Sequence, residues 1–551
     1  MSRTEVAIAG GGPVGMTLAY VLAHFGVRSV LVERNPATTS HPKMDITNAR
    51  SMELFARVGL ADRLRAVAIA ETQPFDVSWV TTMTGYELHR FPYPGAGGVR
   101  DTMHRKNDGT QPSQPPMRVS QVVIEPVLRQ AIEEHPLVDV RFGTNFEDFT
   151  QTGEGVTVCV TTATGEIEEI TCAWLVGCDG GTSHVRELLG IPLQGRARIS
   201  QRFITHFRSD ARDLLQRWGP AWHYQSNQGT LVAQNDHDIW TLLSRLPEGI
   251  APGDINPSDL IEAFVGAPIK HEVLVSNAWS PHLLVADSFG RDRVMLAGDS
   301  VHQYIPTGGY GMNTGIGDAV DLGWKLAAVL RGFGGLGLID SYEAERRPVA
   351  LANCAGSSRH NDIRVAIAAL YTPGLGASGP VGDAARAKAA KRIAELGNAE
   401  NECVGLEMGY VYSSGIVTGD GEPAAADPLI YLPSTRPGAR LPSVYLADSS
   451  NLHDHLGTWF TLLCFDPVPT DAFEDAARDL GIPLAVRNID AAGHRGLFAE
   501  SILLVRPDMH IAWAGNTADE EQAHSLLLRA TGNGNRIAGR PATPPAQPAV
   551  A

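Results

Sequence analysis

The feature that most restricts the fold lies near the start of the chain. Val6-Ala7-Ile8-Ala9 is a short continuous apolar run, as expected of a strand buried on both faces. It leads directly into Gly10-Gly11-Gly12-Pro13-Val14-Gly15, then into helix-forming residues Met16–His24, closed by Gly26. A second β-rich run, Arg28–Val32, ends in Glu33, 18 residues after Gly15. Strand, glycine turn, helix, strand and acid in this order describe a dinucleotide-binding unit. Gly10 permits the tight turn, Gly12 lets backbone approach a pyrophosphate, and Gly15 lets the helix lie close to the strand. The free N–H groups at the helix start face the phosphates, and Glu33 can accept hydrogen bonds from ribose hydroxyls. Pro13 and Arg34 flank these positions and join the same candidate set.

A chain of 551 residues has room for about three domains. Its 45 basic and 61 acidic residues leave a formal charge of −16, which argues against nucleic-acid or anionic-membrane partners. Cys159, Cys172, Cys178, Cys354, Cys403 and Cys464 form no C-x-x-C and no zinc spacing with histidines, so no metal site is expected. Scattered cysteines suit a reducing cytoplasm. Neither a signal-peptide pattern nor a membrane-length apolar run is found.

Further along, Asn48–Val58 and Val122–Glu133 read as helices, and the Gly/Pro-rich stretch Tyr93–Pro116 as a long loop. Val138–Phe142, Val156–Thr161 and Ile167–Thr171 read as hairpin strands, followed by the buried strand Trp174–Cys178. Gln201–Phe207, Ala221–Tyr224, Thr230–Ala233 and Ile239–Ser244 suggest an antiparallel sheet spliced into the chain. Arg293–Ala297 returns as a buried strand, and a helix is expected over Met312–Arg331. Ile363–Leu370 and Asp383–Leu396 read as helices, and residues 413–442 as a linker. A small βαβ-type domain follows from Val444, and the Gly/Pro/Ala-rich tail from Asn533 reads as disordered.

Two more motifs close strands with acids. Trp174-Leu175-Val176-Gly177-Cys178-Asp179-Gly180 ends in Asp-Gly, and Met295-Leu296-Ala297-Gly298-Asp299 in Gly-Asp. Pro306-Thr307-Gly308-Gly309-Tyr310-Gly311-Met312-Asn313 comes next, and Ser341-Tyr342-Glu343-Ala344-Glu345-Arg346-Arg347-Pro348 after it. Together with the first turn, these residues resemble the FAD-dependent aromatic hydroxylases of the para-hydroxybenzoate and phenol hydroxylase type. The similarity is greatest to the subgroup acting on 3-(3-hydroxyphenyl)propionate and resorcinols. It spans about residues 4–360 and continues more weakly through Arg436-Pro437-Gly438-Ala439-Arg440-Leu441-Pro442.

The resemblance implies an α/β protein. A Rossmann-like FAD-binding domain would comprise residues 1–75, 116–190 and 289–365, and a substrate-binding sheet domain residues 76–115 and 191–288. A helical connection (366–412), the linker (413–442), a thioredoxin-like domain (443–532) and the tail (533–551) would complete the chain. Non-covalent FAD would be reduced by transiently bound NAD(P)H and react with O2 to a C4a-hydroperoxide that hydroxylates a phenolic or related aromatic substrate. Gly10, Gly12, Gly15 and Glu33 would hold its ADP half, Asp179 and Gly180 would contact FAD and NAD(P)H, and Asp299 would hold the ribityl chain. Pro306, Gly309, Gly311, Met312 and Asn313 would line the flavin ring, while Arg50 and Gln121 match positions that touch FAD. Lys43 replaces an arginine of the family's Pro-Arg-Ala, exchanging a guanidinium for an ammonium.

Pro306 and Gly309 sit on the reacting side of the ring, and His206, His223 and Tyr224 are the candidate substrate-side catalytic residues, with Gln234 and Trp240 beside them. His302 is expected to be structural. Cys464 is the only cysteine of the last domain, so no dithiol chemistry is expected there, and a packing or homodimer role is. The nine tryptophans include no Trp-x-Trp of flavin halogenases, and the chain lacks the second glycine turn of Baeyer–Villiger enzymes. A same-fold monooxygenase performing epoxidation or Baeyer–Villiger oxidation of a polyketide, or a flavin-binding regulator, are the alternatives.

Overall fold

The computed structural model describes residues 2–246, 249–419 and 427–534. Its central six-stranded sheet has the order Gly290–Arg291, Val294–Leu296, Trp174–Gly177, Val6–Ala9, Ser29–Glu33 and Val138–Phe142. All neighbours are parallel except the short 290–291 edge. The strands that carry the acid motifs therefore end on one side of one sheet, where parallel sheets bind ligands. Helices Pro13–His24 and Tyr310–Leu330 start at that side and pack on each other.

Val138–Phe142 belongs to this sheet and not to a hairpin. Val156–Thr161 and Ile167–Cys172 form the expected hairpin, and Asn145–Gln151, whose polar residues gave no strand signal, pairs with the other edge of Val156–Thr161. The expected loop over Tyr93–Pro116 is also corrected, because Ala96–Lys106 is a helix. Its two early glycines weaken helix propensity, but Ala96 and Met103 are buried and Asn107 ends it in the left-handed region at φ 37°. Gly337–Ala368 is one 32-residue helix with Pro348 inside it, so Ile363–Leu370 marks its end and not a separate element.

The inserted sheet has seven strands, in the order Glu272–Trp279, Arg202–Arg208, Ile239–Arg245, Gly229–Ala233, His223–Gln225, Val77–Val80 and Glu87–Phe91. Side chains alternate between its faces. Phe207, Tyr224, Leu231, Trp240 and Leu242 point to one face, where Ile261, Phe264 and Val265 of helix Pro257–Val265 cover them. The cross-strand row His206, Thr241, Val232 and His223 lies on the other.

The last domain has strands in the order Leu484–Asn488, Phe460–Cys464, Ile502–Val505 and Ile511–Gly515. The first pair is parallel and the other two antiparallel, with helices Asp471–Leu480 and Glu520–Ala530, as in a thioredoxin-like fold. Residues 413–419 and 427–442 lack helix or strand, yet Ile416, Val417, Tyr431 and Arg440 are buried. Asn533 caps the packed end, donating to the Phe333 carbonyl, while the tail expected to be disordered lies outside the described residues from 535 onward.

This domain docks through a buried ionic network. Arg506 reaches both oxygens of Glu345 (2.7 and 2.8 Å), Asp321 (3.1 Å) and Asp508 (2.5 Å). Lys325 bridges Asp321 and Glu345 at 2.7 Å each. Beside it, Arg440 pairs with Glu53, which Arg50 also meets at 3.2 Å. Arg50 further donates to the Asp508 carbonyl (2.8 Å) and the Tyr410 hydroxyl.

Candidate active site

The first glycine turn has the shape its motif requires. Gly10 has φ 112°, and any Cβ there would collide with the Cys178 carbonyl on the neighbouring strand. A Cβ on Gly12 would meet nothing within 4 Å. The backbone at Gly12 thus borders open space at a helix start with Pro13 at its first position and no side-chain cap. The unsatisfied N–H groups there suit a pyrophosphate. Glu33 accepts from the N–H of Gly11 and of Asn35 at 2.8 Å each, which fixes its carboxylate beside the turn. Arg34 and Lys43 are exposed on the rim.

Asp179 accepts from the Val185 N–H (3.1 Å), while its other carboxylate oxygen is buried without a partner. Gly180 follows at φ 85° with open space where a side chain would point. Asp299 is solvent-accessible but crowded by protein, and its carboxylate takes no hydrogen bond among the described residues. Burial raises its pKa, against the pull of His302 and Lys43. An accessible acid of this kind, 4.0 Å from where a Cβ on Gly311 would stand, suits a polyol chain.

Gly308 and Gly309 have φ of 90° and 66°, and Gly309 caps helix Tyr310–Leu330. A Cβ on Gly309 would stand 2.5 Å from Ile46 Cγ2. Pro306 is exposed, Gly311 borders open space, and Met312 is half-buried. Asn313 fastens the wall opposite: its side chain accepts from Asn48 N–H (3.0 Å) and donates to the carbonyls of Ile46 (3.1 Å) and Gly309 (2.7 Å). Behind the loop, buried His302 meets Asp318 at 2.7 Å, and Asp318 also holds Arg346 and the Gly298 N–H. His302 is structural, as expected.

Four sequence-assigned residues are turned elsewhere. Tyr224 is corrected: it is fully buried on the helix-covered face and donates to the Gly219 carbonyl (2.6 Å), so it cannot touch a substrate. Trp240 shares that face and donates to Ser209. Arg50 spends its guanidinium on the docking network. The Gln121 side chain donates to Glu125 (2.7 Å), and its N–H to the Met44 carbonyl (2.9 Å), bracing the 44–47 segment.

His206 and His223 lie on the face turned away from helix Pro257–Val265. His206 pairs with Thr241 (3.0 Å), and burial lowers its pKa. His223 packs on Trp222 at 4.0 Å, has a buried Nδ1 without a partner, and is pushed well down by burial and then by Arg364 and Arg118. Gln234, with an unpartnered Oε1, is buried.

Asp45 was not singled out from the sequence. It follows Met44 and precedes Ile46, which touches Gly309, and its carboxylate accepts from the Trp222 indole. Burial raises its pKa, while Arg118 and the indole oppose that. Arg118 is itself buried, donates to the Ala233 carbonyl, and lies over Trp222 at 5.5 Å. Asp45 thus joins the glycine loop to the start of strand His223–Gln225 in the inserted sheet. No sequence signal could identify it, since the partner Trp222 is 177 residues away.

These features define a dinucleotide-binding α/β protein with a glycine loop at the carboxyl end of its parallel sheet and a second sheet beside that loop. Comparison with known proteins gives the family. A model of the FAD binding domain matches residues 3–357, and one of the aromatic-ring hydroxylase C-terminal domain matches 434–534. FAD-dependent monooxygenase apdD of Emericella nidulans is 34% identical, the alignment covering 96% of this chain and 90% of that protein. Phenol 2-monooxygenase of a Pseudomonas species is 30% identical over 95% of this chain and 91% of its own length. The rebeccamycin biosynthetic enzyme RebC with reduced flavin superposes with a TM-score of 0.87 at 33% identity, covering 97% of this chain and 99% of RebC. The chain belongs to the FAD-dependent aromatic-ring hydroxylases, the class A flavoprotein monooxygenases. Its cofactor is FAD.

Proposed function

We propose that this enzyme hydroxylates a phenolic ring held between the Pro306–Asn313 loop and the sheet row of His206, Thr241, Val232 and His223. The observation that carries this reading is Asp45, which is tied to the sheet through Trp222 and lies one residue from the contact with Gly309. The ADP half of FAD would lie along Gly10, Gly12, Pro13, Gly15 and Glu33, its ribityl chain at Asp299, and its ring along Pro306, Gly309, Gly311 and Met312. Asp179, Gly180 and Lys43 would border the ring and the approaching nicotinamide. When bound, FAD takes electrons from NAD(P)H and activates O2, one oxygen atom entering the ring and the other leaving as water.

The chain's own residues do the rest. Asp45 accepts the phenol proton, and burial, which raises its pKa, makes its carboxylate a stronger base. The deprotonated oxygen makes the ring more nucleophilic. Arg118 beside Asp45 stabilises the negative charge. Neutral His206 holds Thr241 in place. The free N–H groups at the start of helix Tyr310–Leu330 would favour negative charge on a flavin held there. The sheet excludes water, which would divert the oxidant to peroxide.

Free cysteines support a cytoplasmic enzyme, and no described helix is long and apolar enough to cross a membrane. A homodimer is the proposed assembly, tested by light scattering. The test of function measures NAD(P)H, O2, product and peroxide together across a panel of substituted phenols. A hydroxylated product in step with NAD(P)H consumption is expected. Peroxide alone with every phenol, from protein that retains FAD, would refute the reading.

A further inference from the structure

Arg202 and Arg245 are direct cross-strand partners in the inserted sheet. Like charges placed opposite each other destabilise a sheet, so the pairing carries a cost. Among the described residues neither guanidinium has a carboxylate partner, and the Arg202 side chain has only the Ser200 hydroxyl (3.2 Å). Arg202 is half-buried, and its pKa falls to about 10 through burial, then Arg245 and Arg364. Arg364 differs from both, since Glu400 neutralises it at 2.6 Å.

The two arginines line a cleft of about 490 Å³, with Asn361 and Val365 of the long helix on its other side. Its position relates it to the catalytic crevice on both walls. Arg202 lies on the same sheet face as His206, four residues or ~13 Å along the strand. On the facing helix, Asn361 is about one turn from Ser357. Ser357 donates to the Ile305 carbonyl (2.8 Å) and its own carbonyl accepts from the Thr307 hydroxyl (3.0 Å), on either side of Pro306. Strand and helix thus lead from the arginine pair toward the proposed ring site, and neither arginine has a carboxylate partner among the described residues.

We propose that Arg202 and Arg245 form an anion subsite for a carboxylate carried on the substrate some 10–13 Å from the ring that is hydroxylated. The inference rests on the hydroxylase reading of the crevice and adds the substrate class, an aromatic acid with an extended tail. A forked guanidinium pair suits the two oxygens of one carboxylate. In a chain of net charge −16, two such cations beside each other would also draw an acid toward the cleft.

The experiment uses the FAD-loaded full chain and a series of ω-(3-hydroxyphenyl)alkanoates of increasing length, each beside its neutral primary amide. Binding is read from the perturbation of the flavin absorbance, which needs no turnover, so it stays informative even if no probe is hydroxylated. One acid of matching length should bind about tenfold more tightly than its amide. R202Q/R245Q should abolish that preference with the amide affinity unchanged, and R202K should retain part of it. Thermal melting checks that each variant is folded. Equal binding of acid and amide at every length, no binding of any acid, or an undiminished preference in R202Q/R245Q would overturn the proposal. So would a variant that raises only the KM for NAD(P)H, which would assign the arginines to the reductant's phosphates.

Discussion

Replacing Arg506 by Met should destabilise the protein far more than a surface change. In the native state Arg506 and Lys325 lie among Asp321, Glu345 and Asp508, all of them buried. Methionine fills much of the space but leaves three carboxylates to one ammonium. Breaking a buried ion pair by removing one partner costs about 3–5 kcal/mol. Arg506 holds three acids, so the upper part of that range is expected. The cost should depend on pH in a defined direction. Burial already pushes Asp321 up to about 7, and loss of a neighbouring cation raises it further. A carboxyl with a raised native pKa is stabilised by protonation, so its penalty shrinks as pH falls through that value. Relative to wild type the variant should recover about 1.4 kcal/mol per pH unit, for each extra proton it holds, between its own further-raised pKa and about 7, where native Asp321 also protonates. Asp321 and Lys325 lie on the helix that begins at Gly309, so FAD retention should weaken as well. Urea unfolding followed by circular dichroism at pH 8 and pH 6 tests this, with released FAD measured on the same samples. A loss under about 1 kcal/mol at pH 8, or a penalty that grows on acidification, would refute the reasoning.

Asp45→Asn should retain FAD but lower kcat on phenols about 10²–10⁴-fold, with loss of the acidic limb of the pH profile; stopped-flow turnover checks it, and unchanged kcat would remove Asp45 from the proton path. Gly309→Val should weaken FAD binding and raise peroxide relative to product, because its side chain would press on Ile46 and its φ of 66° disfavours a β-branched residue. Tyr224→Phe should cost about 1 kcal/mol of stability and leave kcat/KM unchanged, which denaturation and turnover assays would show. His453 is held down to about 4 by burial and then Arg440, so its neutral form stabilises the fold above pH 6.5 and that contribution is lost on acidification. His453→Gln should therefore flatten the stability–pH slope between 6.5 and 4 by about 1.4 kcal/mol per unit, measured as denaturation free energy.

The backbone shape of the glycine turn and loop was legible because its requirements are local. Gly10, Gly12 and Gly15 act through backbone conformation and close approach, which six consecutive letters specify. Asp299 and the 306–313 loop are similarly contiguous. The substrate half depends on contacts far apart in sequence. The alternation of strand 223–225 shows that His223 and Tyr224 face opposite ways, but which face is covered depends on helix Pro257–Val265. The docking network was hidden for another reason: Arg506, Asp321 and Glu345 read as ordinary polar residues until they meet across 185 positions. Helix Ala96–Lys106 escaped notice because tertiary burial of Ala96 and Met103 overrides its glycine content.

The helix Gly337–Ala368 has a mechanical consequence. At 1.5 Å per residue its 32 residues span about 48 Å. Tyr342 bonds the Leu296 carbonyl of the flavin sheet, Glu345 and Arg346 grip the buried charges, Ser357 holds the ring-side loop, and Ile367 packs against Trp79 of the inserted sheet. One stiff strut thus fixes the separation of four parts of the molecule. The inserted sheet cannot slide away from the flavin sheet along this axis without breaking several anchorages together, whereas a small roll about the strut breaks few. If the crevice opens to admit reductant and shuts for oxygen transfer, the strut confines that motion to a rotation, so entry and exit occur from the side while the span of about 38 Å from Tyr342 to Ile367 remains constant through the cycle.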